Sequence, residues 1–516
     1  MKLMKTTIGM IIVTLTSIIL GFVRESVTVY KLGASWQADS FIFSVAFPGF
    51  IFATLGGVIS TTFVPLYTDL MINKSKKEAN DFANIFINII VLISLILVII
   101  GEIYTGQIIK ILAPGFKGQT YESTLRLVKI ILPSMVFMGI IYCFVGILTS
   151  FKELIITSAL SIPLHLSIIF ALIFIYPSKG LEYSVLVVLF GSLLQVLMFI
   201  PKLIKNDYRY TFNFNFKNSY IKEALYMIGP MAIGIMVQQI NIMVDKSLAS
   251  TLDQGSITSI NLASKLNIAT YSSIGYLLVV LIFPILSQYA SEKNIEKFSK
   301  TVISSLNVVI GLMIPITIIS IFFRRELVNL LFGYGKFTEK DVTYTAQILL
   351  FYSLEICFLG IRDVLNRAFY ALKDTKTSMK NGIIGVLINI ILSLLLIRVM
   401  EANGLALSTS ISMIIISILL FKDMKNKFIN VNLTRFYLNI FKILIAGIAQ
   451  YGLMIFINKT LNFINWNINS RINMLIYISI VSIISSSIYI ALLYILKVDG
   501  IEYVKDKIKN KIKKTN

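Results

Sequence analysis

From Thr7 to Leu496 the chain alternates apolar runs of roughly 20 residues with short polar breaks. A helix of that length crosses about 30 Å of hydrocarbon. Helical spans are predicted at 7–29, 37–69, 81–105, 121–150, 155–176, 181–204, 220–250, 255–289, 298–322, 342–372, 378–399, 402–421, 435–458 and 472–496. Several exceed a straight crossing, and Pro48, Gly56-Gly57, Pro133 and Pro230 interrupt them. Helices of that kind tilt or bend and often line a cavity. The pattern predicts an all-α polytopic membrane protein of about fourteen transmembrane helices.

Composition agrees with the pattern. Apolar residues make up 56% of the 516, charged residues 14%, and the mean hydropathy is +0.83. A soluble protein of this size has too little polar surface to cover so much apolar area. Lys2 and Lys5 precede an apolar stretch as in a signal peptide, but no small-residue cleavage site follows, and a retained first helix is expected. Cys143 and Cys357 both fall inside apolar runs, which excludes a disulfide framework. One histidine, His165, leaves no His-based metal cluster. No P-loop or nucleotide-binding glycine fingerprint occurs, so no nucleotide cofactor is expected; energy would come from Na⁺ or H⁺ coupling or the membrane potential.

The net charge of +21 is unevenly placed. With the N-terminus inside, most of the 47 basic residues fall in cytoplasmic segments: Lys74, Lys76 and Lys77; Lys202, Lys205, Arg209 and Lys217; Lys293, Lys297 and Lys300; Lys373, Lys376 and Lys380; Lys422, Lys425 and Lys427; and a basic tail. Arg324, Arg325, Lys336 and Lys340 form one outward cluster against the rule. Both termini are expected in the cytoplasm. The charge meets anionic membrane lipids and calls for no nucleic acid.

The chain also repeats. Phe63-Val64-Pro65-Leu66 closes span two as Ile282-Phe283-Pro284-Ile285-Leu286 closes span eight, and a Lys/Glu-rich loop follows each. Ile109 to Phe116 before span four matches Leu327 to Phe337 before span ten, and Ser150-Phe151-Lys152-Glu153 after span four matches Ala371-Leu372-Lys373-Asp374 after span ten. Six helices per copy is an even number, so both copies share one orientation and are related by an axis along the membrane normal. The expected divisions are an N-lobe at 1–210, a C-lobe at 211–427, a helix pair at 428–496 outside the repeat, and the basic tail at 497–516.

Ionisable groups inside the spans carry the chemistry, because each costs about 2.5–3.5 kcal/mol unless it faces protein or water. Thr14, Ser17, Gly21 and Arg24 make one stripe on span one, with Glu25 beside it. Arg24 lies about 10 Å from the outer end, where snorkelling to headgroups competes with a cavity role. Asp39 opens span two at a similar depth, within reach of Arg24. On span eight Asn261, Ser264, Lys265 and Ser272 share a face, and Lys265 lies near mid-bilayer, about 15 Å from the outer end. An inward cation there suits an anionic ligand, and two suit a diphosphate. Gln238, Asn241 and Asp245 on span seven, with Asn389, Ser393 and Thr409 on spans eleven and twelve, either offer oxygens to a hard cation such as Na⁺ or pack as hydrogen-bonded helix contacts. On span ten, Asp363 and Arg367 are spaced to pair. His165 is either a hydrogen-bonded core residue or a proton-coupling group.

Several segments together resemble one family, the MurJ/MviN lipid II flippases of the multidrug/oligosaccharidyl-lipid/polysaccharide exporter superfamily. They are Leu20-Gly21-Phe22-Val23-Arg24-Glu25, Leu112-Ala113-Pro114-Gly115-Phe116, Gln239-Ile240-Asn241 with Asp245, Ala263-Ser264-Lys265-Leu266, Leu331-Phe332-Gly333, and Arg367-Ala368-Phe369-Tyr370-Ala371 to Asp374-Thr375-Lys376-Thr377, in order over roughly residues 1–425. The resemblance implies two six-helix lobes plus a C-terminal pair that helps hold a lipid tail. It implies alternating access around a cationic cavity, in a monomer of the bacterial inner membrane. Its substrate would be lipid II, an undecaprenyl-diphosphate glycolipid, with Arg24, Glu25 and Asp39 at family positions. Lys265 stands where the family has Arg, His165 where it has Asn, and Gly49-Phe50-Ile51-Phe52 where it has an Arg pair. Two other readings compete. One is a flippase for another undecaprenyl-linked glycan or a cation-coupled drug exporter. The other is a polytopic glycosyltransferase, for which no outer loop is long enough.

Overall fold

The computed structural model describes residues 2–215, 219–428, 433–463 and 470–499. Lys217, the basic tail beyond residue 499, and the side chains of Pro230 and Gln238 lie outside the described residues.

Among the described residues the chain is helix and connecting loop, with no strand. Its helices are α1 (Lys2–Leu32), α2 (Trp36–Val58), α3 (Val64–Asn73), α4 (Lys76–Leu112), α5 (Gly118–Ile131), α6 (Ser134–Ser150), α7 (Leu154–Ser158), α8 (Ile162–Phe170), α9 (Tyr176–Lys205), α10 (Ser219–Ala249), α11 (Ser256–Ser291), α12 (Ile295–Phe322), α13 (Arg324–Phe332), α14 (Glu339–Ser353), α15 (Ile356–Ala371), α16 (Thr375–Phe428), α17 (Thr434–Phe463) and α18 (Arg471–Ile495). Each predicted span falls on one or more of them. Among the described residues, seven helical stretches are long and apolar enough to cross a membrane, and the pair α5–α6, bent by 46°, makes an eighth. Two of the seven run 52 and 54 residues, about twice what one crossing takes. Both break partway at a positive φ, at Gly180 (80°) and Glu401 (50°).

The breaks have local causes. Pro133 has no N–H to give the preceding turn, so α5 ends and α6 restarts. The π-helical turn Ile59–Phe63 follows α2, and Pro65 sits in the first turn of α3. Ser75 caps α4 by accepting from Glu78 N–H at 3.1 Å, and its hydroxyl donates to the Glu78 carboxylate at 3.4 Å.

The chain forms two compact units, Met1–Thr258 with Tyr334–Thr338, and Ser259–Gly333 with the chain from Glu339 onward. In the first, α2 packs on α5, α4 on α6, and α8 on α9. Phe63 is fully buried there and stacks on Tyr67 and Phe82 at 5.6 and 5.4 Å. In the second, α12 packs on α15 and α17, and α15 on α16, around Phe298, Leu306, Val309 and Phe369.

The segments matched after spans four and ten end their helices alike, with a turn that also ends α9, α11 and α18. Lys152 and Lys373 adopt left-handed φ values of 61° and 58°. Glu153 N–H donates to Leu148 O, and Asp374 N–H to Phe369 O, each at 2.9 Å. The same Schellman-type turn thus closes α6 and α15. A lysine from a later helix then takes the acidic residue in each copy: Lys202 on Glu153 at 3.0 Å, Lys427 on Asp374 at 3.1 Å. The hydrogen bond from Lys202 holds the Glu153 carboxyl below its usual range. Burial pushes Asp374 up, but hydrogen bonds from Thr377 and Lys427 outweigh it, and its carboxyl also ends below.

A polar ladder seats the segment after α9. Asn80, Asn84 and Asn88 recur at every fourth position of α4. Their amides donate to the Asp207, Arg209 and Asn213 carbonyls at 3.3, 3.2 and 2.8 Å, and Asn84 also reaches Thr211 Oγ1 at 2.8 Å. Tyr208 and Tyr210 return by donating to Asn84 and Asn88 Oδ1 at 2.5 and 2.6 Å. Asn84 is 1% exposed, and Asn84→Ala removes its bonds to Arg209 O and Thr211 Oγ1 and strands the buried Tyr208 hydroxyl, about 1 kcal/mol each. Hydrogen–deuterium exchange across 207–213 is expected to rise roughly 30- to 100-fold. Unchanged exchange would mean that other contacts seat the segment.

Candidate functional site

The polar stripe of α1 faces span five. Ser17 is buried and its Oγ lies 2.5 Å from Ser161 Oγ. One turn on, a Cβ at Gly21 would lie 3.5 Å from His165 Nε2, an ordinary contact distance, so the imidazole packs over Gly21. His165 N–H donates to Ser161 O, which places both residues on one face of the turn that opens α8. Ser161 was the member that sequence reasoning passed over, although its i−4 spacing from His165 was the available signal. Thr14 is exposed and stands apart from this cluster.

Arg24 closes the stripe and pairs with its neighbour Glu25. The side chains are 19% and 5% exposed. The pair sits within the apolar span, and its guanidinium keeps further donors beyond the one given to Glu25.

Asp39 has other partners than Arg24. Its Oδ2 accepts from Gly255 N–H at 2.6 Å, and its Oδ1 from Thr258 N–H at 2.9 Å and Thr258 Oγ1 at 2.7 Å. A carboxylate from span two therefore caps the first turn of α11, where unpaired N–H groups and the helix dipole both favour negative charge.

Where the resemblance expects an Arg pair, Phe50 lies under the Lys246 ammonium, 4.5 Å from the ring centroid. The cation comes from α10, which packs on α2.

In the second unit, Asn261, Ser264 and Lys265 are half-buried on one face of α11, while Ser272 is exposed and bonds Ile268 O. The adjoining face is tied down: Asn267 donates to Glu355 at 2.7 Å and Tyr271 to Asp363 at 2.6 Å. Asp363 pairs with Arg362 at 2.7 Å rather than with Arg367, whose guanidinium lies 5.3 Å from the Phe283 ring centroid. Adjacency on α15 wins over the i,i+4 spacing because Tyr271 draws the carboxylate to its side.

The candidate cation ligands divide between the units. Asp245 is half-buried on α10, and Asn389, Ser393 and Thr409 are on α16. Ser393 Oγ lies 2.7 Å from Ser408 Oγ, and Thr409 Oγ1 donates to Leu405 O. Serine and threonine hydroxyls are neutral oxygen donors of the type a hard cation takes. Among the described residues no three His, Cys, Asp or Glu side chains cluster as a metal site.

Comparison with known proteins bears on this arrangement. The family model for the lipid II flippase MurJ matches residues 28–490. A probable lipid II flippase MurJ of Buchnera aphidicola subsp. Schizaphis graminum is 30% identical over 515 residues, 98% of each chain. One from Rickettsia prowazekii is 29% identical over 421 residues, 80% of this chain and 82% of that one. A solved lipid II flippase MurJ in an inward closed conformation superposes with a TM-score of 0.81 at 26% identity, over 94% of this chain and 99% of that one. An inward-facing multidrug resistance MATE family transporter of the MOP superfamily shares the fold, with a TM-score of 0.70 at 14% identity over 81% of this chain and 98% of that one.

Proposed function

The chain belongs to the MurJ family of lipid II flippases, and on that premise we propose that it moves lipid II from the inner to the outer leaflet of the bacterial cytoplasmic membrane by alternating access. Family membership over residues 28–490 is the observation that carries the reading. The chain is a multi-pass membrane protein. In the proposed arrangement it makes fourteen passes as a monomer, with both termini cytoplasmic and α17–α18 beside the lipid tail.

Arg24, with Ser17, Glu25 and His165 around it, and Lys265 with Ser264 are the proposed contacts to the diphosphate and first sugar. Asp39 acts through α11 by holding its first turn. Asp245, Asn389, Ser393 and Thr409 are the proposed Na⁺ ligands, and transport is driven by that ion, by protons or by the membrane potential. The protein moves its substrate and performs no chemistry on it.

The test is lipid II accessibility to an externally added enzyme that cleaves only outward-facing lipid II. Depletion is expected to leave most lipid II protected in the inner leaflet. Lys265→Arg restores access because the charge is kept, while Lys265→Ala lowers it roughly 10- to 100-fold through loss of one charge-assisted contact. Lipid II that stays fully accessible on depletion would point instead to another undecaprenyl-linked glycan as the substrate.

A further inference from the structure

A cavity of about 930 Å³ opens in the first unit, at the end of the helices remote from the N-terminus. Its wall is built from the end of α1, the starts of α2 and α5, and the turn opening α9. Trp36 and Tyr176 line it beside Lys31, Lys179 and Lys336. The chain has only two tryptophans, so an indole here is a costly choice of residue.

Lys336 reaches this wall through a backbone clasp. It lies in Tyr334–Thr338, which belongs to the first unit although the chain on either side belongs to the second. Lys336 N–H donates to Tyr30 O at 3.0 Å. Gly33 (φ 71°) and Gly335 (φ 67°) allow the approach: a Cβ at Gly33 would lie 2.7 Å from Lys336 O, and one at Gly335 2.4 Å from Tyr30 O.

Each lysine rests on an aromatic ring, Lys31 on Tyr30 at 5.5 Å, Lys179 on Tyr183 at 5.6 Å and Lys336 on Tyr176 at 5.9 Å. Among the described residues none of the three is in an ion pair, whereas Arg126 is paired with Glu182 at 3.2 Å and braces the wall. The ammonium groups are oriented without being neutralised. Acceptors are also present, in Glu122, Gln37 and Gln119.

We propose that this cavity is a second recognition site for an acidic, hydroxyl-rich glycan head, the sugar–peptide head of the lipid-linked substrate on the far side of the membrane. The assignment rests on the flippase reading and on the orientation proposed with it. Ring faces suit the C–H faces of sugars, the lysines suit peptide carboxylates, and the carboxylate and amides accept from hydroxyl and amide donors. An anionic phospholipid headgroup brings few hydroxyl and amide donors for Glu122, Gln37 and Gln119, and leaves most of the volume unfilled.

The test uses the full chain in nanodiscs of zwitterionic lipid with a soluble, lipid-free disaccharide–pentapeptide carrying a photoreactive group. Cross-links are expected within 119–126 and 176–182. Trp36→Ala and Lys336→Ala should each reduce labelling of these segments about tenfold, the scale of one stacking or charge-assisted contact. Labels confined to other segments, labelling indifferent to both cavity variants, or displacement by anionic phospholipid alone would each overturn the proposal. Lipid II accessibility in the same variants separates the two readings. Absent labelling with intact flipping removes this site alone. Labelled cavity residues with lipid II accessible regardless of the protein remove the flippase reading and leave a glycan site.

Discussion

Arg24→Ala is expected to reduce outward-facing lipid II at least 100-fold at equal membrane abundance. The effect is electrostatic. Arg24 is the one cation of the α1 stripe, inside an apolar span, and its planar fork suits phosphate oxygens as no neutral side chain does. The substitution also does something else. Glu25 is 4% exposed and pairs with Arg24, and removing one partner of a buried pair costs about 3–5 kcal/mol because the other charge is stranded. Lost transport in the single variant thus mixes a lost contact with a lost fold. Arg24→Ala/Glu25→Gln separates them: abundance and thermal midpoint should return toward wild type while lipid II stays protected. Restored transport in the double variant would reduce Arg24 to a counter-ion for Glu25.

Asp39→Ala should lower the thermal midpoint by roughly 3–8 °C, the scale of about 2–4 kcal/mol spread over three charge-assisted bonds to Gly255 and Thr258. Asp39→Asn recovers less than half, since one amide oxygen replaces two carboxylate oxygens and the NH₂ then faces a backbone N–H donor. Cys143 and Cys357 are free and buried, so a thiol-reactive fluorophore reports the unfolding directly. A midpoint unchanged in both variants, with transport lost, would make Asp39 a substrate ligand instead of a helix cap.

The fold was legible because its period is local. Each apolar run became a helix, and one matched pair of segments, after spans four and ten, forms the Lys152 and Lys373 turns, with their acidic residues taken by Lys202 and Lys427. What escaped is non-local or off-pattern. Helix α13 is too short and charged to read as a span; its outward basic cluster was visible, but not that Arg325 pairs with Glu339 while Lys336 joins the first unit. The stripe on α1 could be read from spacing, whereas the partner of Asp39 lies more than 200 residues away and nothing near Asp39 specifies it. The spacing of Asp363 and Arg367 pointed the wrong way because Tyr271, on another helix, decides which side the carboxylate takes.

The asparagine ladder has one more consequence. Four residues of helix advance about 6.0 Å, close to the roughly 6.6 Å of two extended residues, and the first step, from Asp207 to Arg209, takes two residues. The second step, from Arg209 to Asn213, takes four over the same helical rise, so the chain there carries about 7 Å of slack, which Thr211 on Asn84 takes up in part. The ladder therefore meters the first step of chain after α9 against α4 and leaves the second bowed.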